Sequence, residues 1–108
     1  MPLYDWHLLP PDVTAHSAAM TTHMVAGKQI LFIWKHDKLF ATAAICPHGG
    51  VQLCDGYLDV RGNIVCPLLH YRFDPRNGYN ASGEGYKLKT YPIEHRPDGY
   101  YLGILQDL

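Results

Sequence analysis

Apolar and polar residues alternate with a period of two in short segments separated by turn-forming residues, which is the pattern of half-buried strands. Tyr4, Trp6 and Leu8 alternate with Asp5 and His7 until Pro10 and Pro11 stop the segment, so a first edge strand is expected there. Gln29 to Lys35, "QILFIWK", is β-branched and aromatic. It follows the turn pair Gly27-Lys28, and "HDK" can reverse the chain into Leu39 to Ala43, which predicts a hairpin. "DVRGN" at 59–63 offers another reversal, into Ile64 and Val65. In "DPRNG" at 74–78 and "RPDG" at 96–99 proline presets φ and glycine supplies positive φ. Tyr86 to Ile93 and Tyr100 to Leu105 are the expected closing strands. The alanine-rich stretch "TAHSAAMTTHM" carries threonines and histidines among weak helix formers, so no amphipathic helix longer than about two turns is expected. The expected fold class is all-β.

Composition narrows the setting. At 108 residues the chain reads as one domain, 1–108, with a single modest core, so any cofactor must sit near the surface. Nine Lys plus Arg against ten Asp plus Glu give a net charge of −1 and no electrostatic footprint for nucleic acid or an anionic membrane. Tyr86, Lys87, Lys89 and Tyr91 set aromatics beside basic charge, but alternation reads them as one strand with two faces. The longest apolar run, "ILFIW" at 30–34, is far short of the ~20 residues of a spanning helix. The start "MPLYDWHLLPPD" lacks a basic leader and a long apolar stretch, and three cysteines fit a reduced compartment better than a disulfide framework. A cytoplasmic protein with neither nucleic-acid nor membrane partners is the expectation.

Between 46 and 72 clusters of Pro and Gly break the alternation twice, and there the cysteines and histidines fall. "CPHGG" at 46–50 and "CPLLHYRFD" at 66–74 each deliver one Cys and one His: Cys46 with His48, and Cys66 with His70. Two thiolates and two imidazoles suit zinc or an iron–sulfur centre. Pro47 and Pro67 stiffen the loops just after each cysteine, while Gly49 and Gly50 let the backbone come close to an inorganic centre and turn amides toward sulfur. Taken singly, each cysteine reads as a small buried hydrophobe and each histidine as an ordinary surface or core residue; the parallel arrangement is what argues for a metal.

Cys46-Pro47-His48, a gap of 17 residues, then Cys66-Pro67 followed by Tyr71-Arg72-Phe73-Asp74 resembles the Rieske [2Fe–2S] domain in its soluble ferredoxin branch. "GYL" at 56–58, "NIVCP" at 63–67 and "LKTYPIE" at 88–94 extend the likeness. The resemblance implies three small antiparallel sheets, with a cluster-binding subdomain of about residues 44–80 on a β base. It implies a [2Fe–2S] cluster with both cysteines on one iron and both histidines on the other.

The chain departs from that pattern at one ligand. The family's second motif is Cys-x-x-His, and here the last position is Leu69, which cannot ligate iron, with His70 one place later. Arg72 and Phe73 keep the family's distance from Cys66, so Leu69 reads as a substitution in an unshifted loop. Either His70 swings in as the fourth ligand or the outer iron keeps His48 alone from the protein. Cys54 matches neither extra cysteine of the membrane-complex branch and is expected to be a packing residue. His7, His16, His23, His36 and His95 have no partner spacing and read as surface residues.

A cluster of this kind passes one electron at a time, at potentials of roughly −150 to +300 mV, and the absence of a disulfide points to the low end. The implied role is an electron carrier between a reductase and an oxygenase or other redox enzyme, docking through Pro47, Gly49, Leu69 and Tyr71. Two alternatives stay open: a non-redox interaction subunit that has lost its ligands, like the small subunits of assimilatory nitrite reductases, and a structural zinc site. The catalytic chemistry of a complete oxygenase is not expected of a chain this short.

Overall fold

A computed structural model describes residues 3–14, 19–46, 50–67, 70–80 and 87–105. Ten strands, β1 (Tyr4–Leu8), β2 (Met20–Val25), β3 (Lys28–Lys35), β4 (Lys38–Ala43), β5 (Tyr57–Leu58), β6 (Ile64–Val65), β7 (Arg72–Phe73), β8 (Thr90–Tyr91), β9 (Ile93–Arg96) and β10 (Gly99–Leu105), form three antiparallel sheets. Their orders are β1-β10-β9, β2-β3-β4-β8 and β5-β6-β7. A one-turn helix, α1 (Pro11–Thr14), and a 3-10 turn at Leu53–Asp55 complete the described elements.

Strand β3 explains the architecture. Its apolar run does not alternate with polar residues because both faces are covered. Ile30 and Phe32 join Leu9, Val13, Leu39, Ala41, Leu102 and Ile104 in one core. Leu31 and Ile33 point into a second core with Ala44, Leu53, Ile64, Phe73, Leu88, Cys46 and Cys66. The four-stranded sheet is thus a wall between a base, closed by β1 and β10, and the layer that carries the cysteines.

Several boundaries differ from the sequence expectation. The turn before β3 is Ala26-Gly27, not Gly27-Lys28: Val25 pairs with Lys28, and φ is 50° at Ala26 and 79° at Gly27. Two positive φ values match the right-handed strand twist of a tight hairpin, and His36 (51°) and Asp37 (61°) do the same between β3 and β4. The expected strand from Tyr86 to Ile93 is divided. Lys87 makes only an isolated bridge to Tyr79, and the chain then supplies β8 to one sheet and β9 to another, with Pro92 between them. Proline has no N–H to continue a ladder, so the strand breaks there. Tyr86 lies outside the described residues. Strand β2, in and just beyond the alanine-rich stretch where no long helix is expected, exists because β3 offers it an open edge along Met20–Val25.

Candidate metal centre

Both cysteines stand at the mouths of hairpin loops with one hydrogen-bond frame. In the first, Ile45 bridges Gln52, the Cys46 N–H donates to the Val51 carbonyl (2.8 Å), and the Gly50 N–H donates back to the Cys46 carbonyl (3.0 Å). In the second, Val65 pairs with Arg72, the Cys66 N–H donates to the Tyr71 carbonyl (2.8 Å), and the His70 N–H donates to the Cys66 carbonyl (3.0 Å). The residue that closes each loop is left-handed, with φ of 70° at Gly50 and 59° at His70. The loops are therefore equal in length, and His70 is the structural counterpart of Gly50, not of His48.

The frame is supported from below. Cys46 and Cys66 are 1% and 0% exposed and belong to one buried cluster with Leu53, Ile64 and Phe73. Val51 and Tyr71 pack against it. Neither cysteine is in a disulfide. A pair of buried cysteines outside any disulfide, each at the mouth of a loop closed by the same hydrogen bonds, fits the thiolate side of a [2Fe–2S] centre.

Pro47, His48, Gly49 and Leu69 lie outside the described residues. His70 is exposed, and among the described residues no three His, Cys, Asp or Glu side chains gather into a metal-binding group. Cys54 is exposed in the 3-10 turn, which turns Leu53 inward instead, so the packing role expected for it falls to its neighbour. Of the other histidines, His95 stacks on Tyr100 at 4.1 Å and His23 meets Phe32 edge-on.

At the far end of β7, the Asp74 carboxylate takes a forked set of hydrogen bonds from Arg76, with Nη2 to Oδ2 at 2.7 Å and Nε to Oδ1 at 3.1 Å. That guanidinium, with Lys35 adding to it against the opposing effect of burial, holds the Asp74 carboxyl below its ordinary value. The backbone carbonyls of Val51 and Tyr71, which orient the loops, were not singled out by sequence. Their signal is their place, five residues after each cysteine.

Comparison with known proteins points the same way. The family model of the Rieske [2Fe-2S] domain matches residues 5–92. The ferredoxin component of the naphthalene 1,2-dioxygenase system of Pseudomonas putida is 35% identical over 71 residues, 65% of this chain and 67% of that protein. A chain described as the small subunit of an NADH-dependent nitrite reductase of Mycobacterium tuberculosis superposes with a TM-score of 0.81 at 16% identity, covering 97% of this chain and 99% of that one. The ferredoxin of carbazole 1,9a-dioxygenase from Nocardioides aromaticivorans IC177 superposes with a TM-score of 0.72 at 22% identity, covering 95% and 96%.

Proposed function

Because the chain belongs to the Rieske [2Fe-2S] domain family, we propose that it is a ferredoxin that passes single electrons from a reductase to an oxygenase. When bound, the [2Fe–2S] cluster supplies a one-electron couple, raised in potential where imidazole replaces thiolate. Cys46 and Cys66 hold its inner iron, and His48 supplies an imidazole to the outer one. Leu69 stands at the remaining ligand position, with His70 beside it as the only histidine within reach along the loop.

The observation that carries this reading is the duplicated frame. Two buried cysteines stand at equivalent positions, each with its amide and carbonyl committed to its own loop and both in one buried cluster. The amides of Gly50 and His70 close the two loop mouths onto the cysteine carbonyls. The partners are those of the relatives, whose names place them in oxygenase systems. They meet this chain through a small transient interface around Pro47, Gly49, Leu69 and Tyr71. A reducing compartment such as the cytoplasm suits three cysteines that form no disulfide, one of them exposed.

Leu69 favours a second reading, a subunit of the same fold without a working redox centre. Iron, zinc and acid-labile sulfide in purified protein, with electron paramagnetic resonance after one-electron reduction, decide between them. Iron and sulfide in equal amounts with a Rieske-type signal support the carrier. A colourless protein that takes up neither would overturn it, and zinc without sulfide would establish a structural site instead.

A further inference from the structure

The molecule carries a second concentration of chemistry, at the strand ends opposite the cysteines. In the sheet of β5, β6 and β7, Cys66 and Tyr71 continue one end, while the Asp59–Asn63 and Asp74–Gly78 turns close the other. The His36-Asp37 turn between β3 and β4 meets them there. The three turns border an open hollow of about 440 Å³ lined by Lys35, His36, Lys38, Phe40, Arg61 and Arg76. Four permanent cations share it in a chain whose net charge is −1. Asp37 and Asp59, in the same turns, line neighbouring hollows, together with Lys38 and Arg61 respectively. Asp74 offsets only part of the charge, and its oxygens are taken by Arg76.

Lys35 shows that the arrangement is built. Its side chain is 10% exposed, and its ion pair with Asp74 spans 3.9 Å, longer than a hydrogen bond. The Lys35 stem lies on Gly62, where a Cβ would come within 2.7 Å of Cδ and Cε and where φ is +80°. Glycine at 62 thus lets the turn adopt its shape and lets Lys35 lie across it, which ties the β3–β4 hairpin to the turn carrying Arg61.

We propose that this hollow binds a small anion carrying two or more phosphate groups, as inorganic diphosphate or as the diphosphate of a nucleotide. With the Arg76 fork engaged by Asp74, the Arg61 guanidinium is the one that can match phosphate oxygens in pairs, and donors spread over three turns are better filled by linked phosphates than by one. Phe40, with the Lys38 ammonium 5.5 Å from its ring centroid, supplies the single apolar wall.

Calorimetric titration of the full chain at low salt tests this, with inorganic diphosphate, orthophosphate and ADP as separate probes. Diphosphate is expected to bind at least tenfold more tightly than orthophosphate, and the double variant Lys38→Ala, Arg61→Ala to weaken it at least tenfold. The iron content of that variant should not change. Equal affinity for ADP and diphosphate assigns recognition to the phosphates alone; tighter binding of ADP adds Phe40 to it. Arg61→Gln alone keeps the test sound if the double variant folds poorly, because the turn's shape rests on the Asp59 carboxylate accepting from the backbone of Arg61 and Asn63. Failure of diphosphate to bind, or binding untouched by these changes, overturns the proposal. So would binding of an acidic peptide in place of diphosphate, which would make the hollow a docking surface for an acidic protein.

Discussion

The two cysteine loops share a frame and differ in what closes it. Gly50 adopts φ 70° with no side chain to place, and open space surrounds the point where a Cβ would stand. His70 adopts φ 59° in the same role and carries an exposed imidazole there. The first loop keeps its histidine in the interior of the turn sequence, at 48, and glycine at the closing position; the second has leucine at 69 and histidine at the closing position. The lesson is that a histidine near a cysteine in sequence is not thereby near it in function. The closing residue is chosen by the backbone, because its amide must return to the cysteine carbonyl, and its side chain is directed by that constraint.

The largest expected effect concerns what the loops share. Cys46→Ser and Cys66→Ser should each remove most of the bound iron and sulfide, and to the same extent; one loop surviving without its cysteine would break the equivalence. Next comes what separates them. Leu69→His should raise iron and sulfide content and sharpen a Rieske-type paramagnetic signal, whereas His70→Ala should have a smaller effect. The reverse ranking, measured on matched preparations, would mean that His70 is the working ligand.

Backbone changes at the closing position should act in opposite directions. Gly50→Ala imposes a left-handed alanine without a steric clash and should cost about 1 kcal/mol of stability. His70→Gly removes a similar strain but adds chain entropy to the unfolded state, for a net gain of roughly 0.5 kcal/mol. Chemical denaturation of iron-matched samples reads both.

Acid should act through the exit of the second loop. The Asp74 carboxyl sits below its ordinary value through Arg76, so the unfolded chain takes up that proton more readily than the folded one. Its stabilising contribution is complete above the unfolded value of about 3.9 and is lost as pH falls through the lower folded value. Asp74→Asn should flatten that part of an acid unfolding curve followed by circular dichroism. The smallest effect belongs to the third cysteine: Cys54→Ser, exposed in the 3-10 turn, should leave iron content and stability unchanged.

Much of this was legible in one dimension. Alternation and turn residues located β1 and β10, the β-branched and aromatic run "QILFIWK" marked β3 and its hairpin, and the paired Cys-Pro dipeptides marked the loops and their likeness to a family. These features are local: side-chain period, turn chemistry and ligand spacing are properties of neighbouring residues. Tertiary structure decided the rest. It recruited β2 because β3 had an edge to pair, and it divided the segment around Pro92 between two sheets. It also set Gly50 and His70 in equivalent positions, and it drew Lys35, Arg61 and Arg76 from three separate turns into one hollow. In each case the deciding partner lies far along the chain, and a strand or a charge site is specified by what it faces, which no short window of sequence contains.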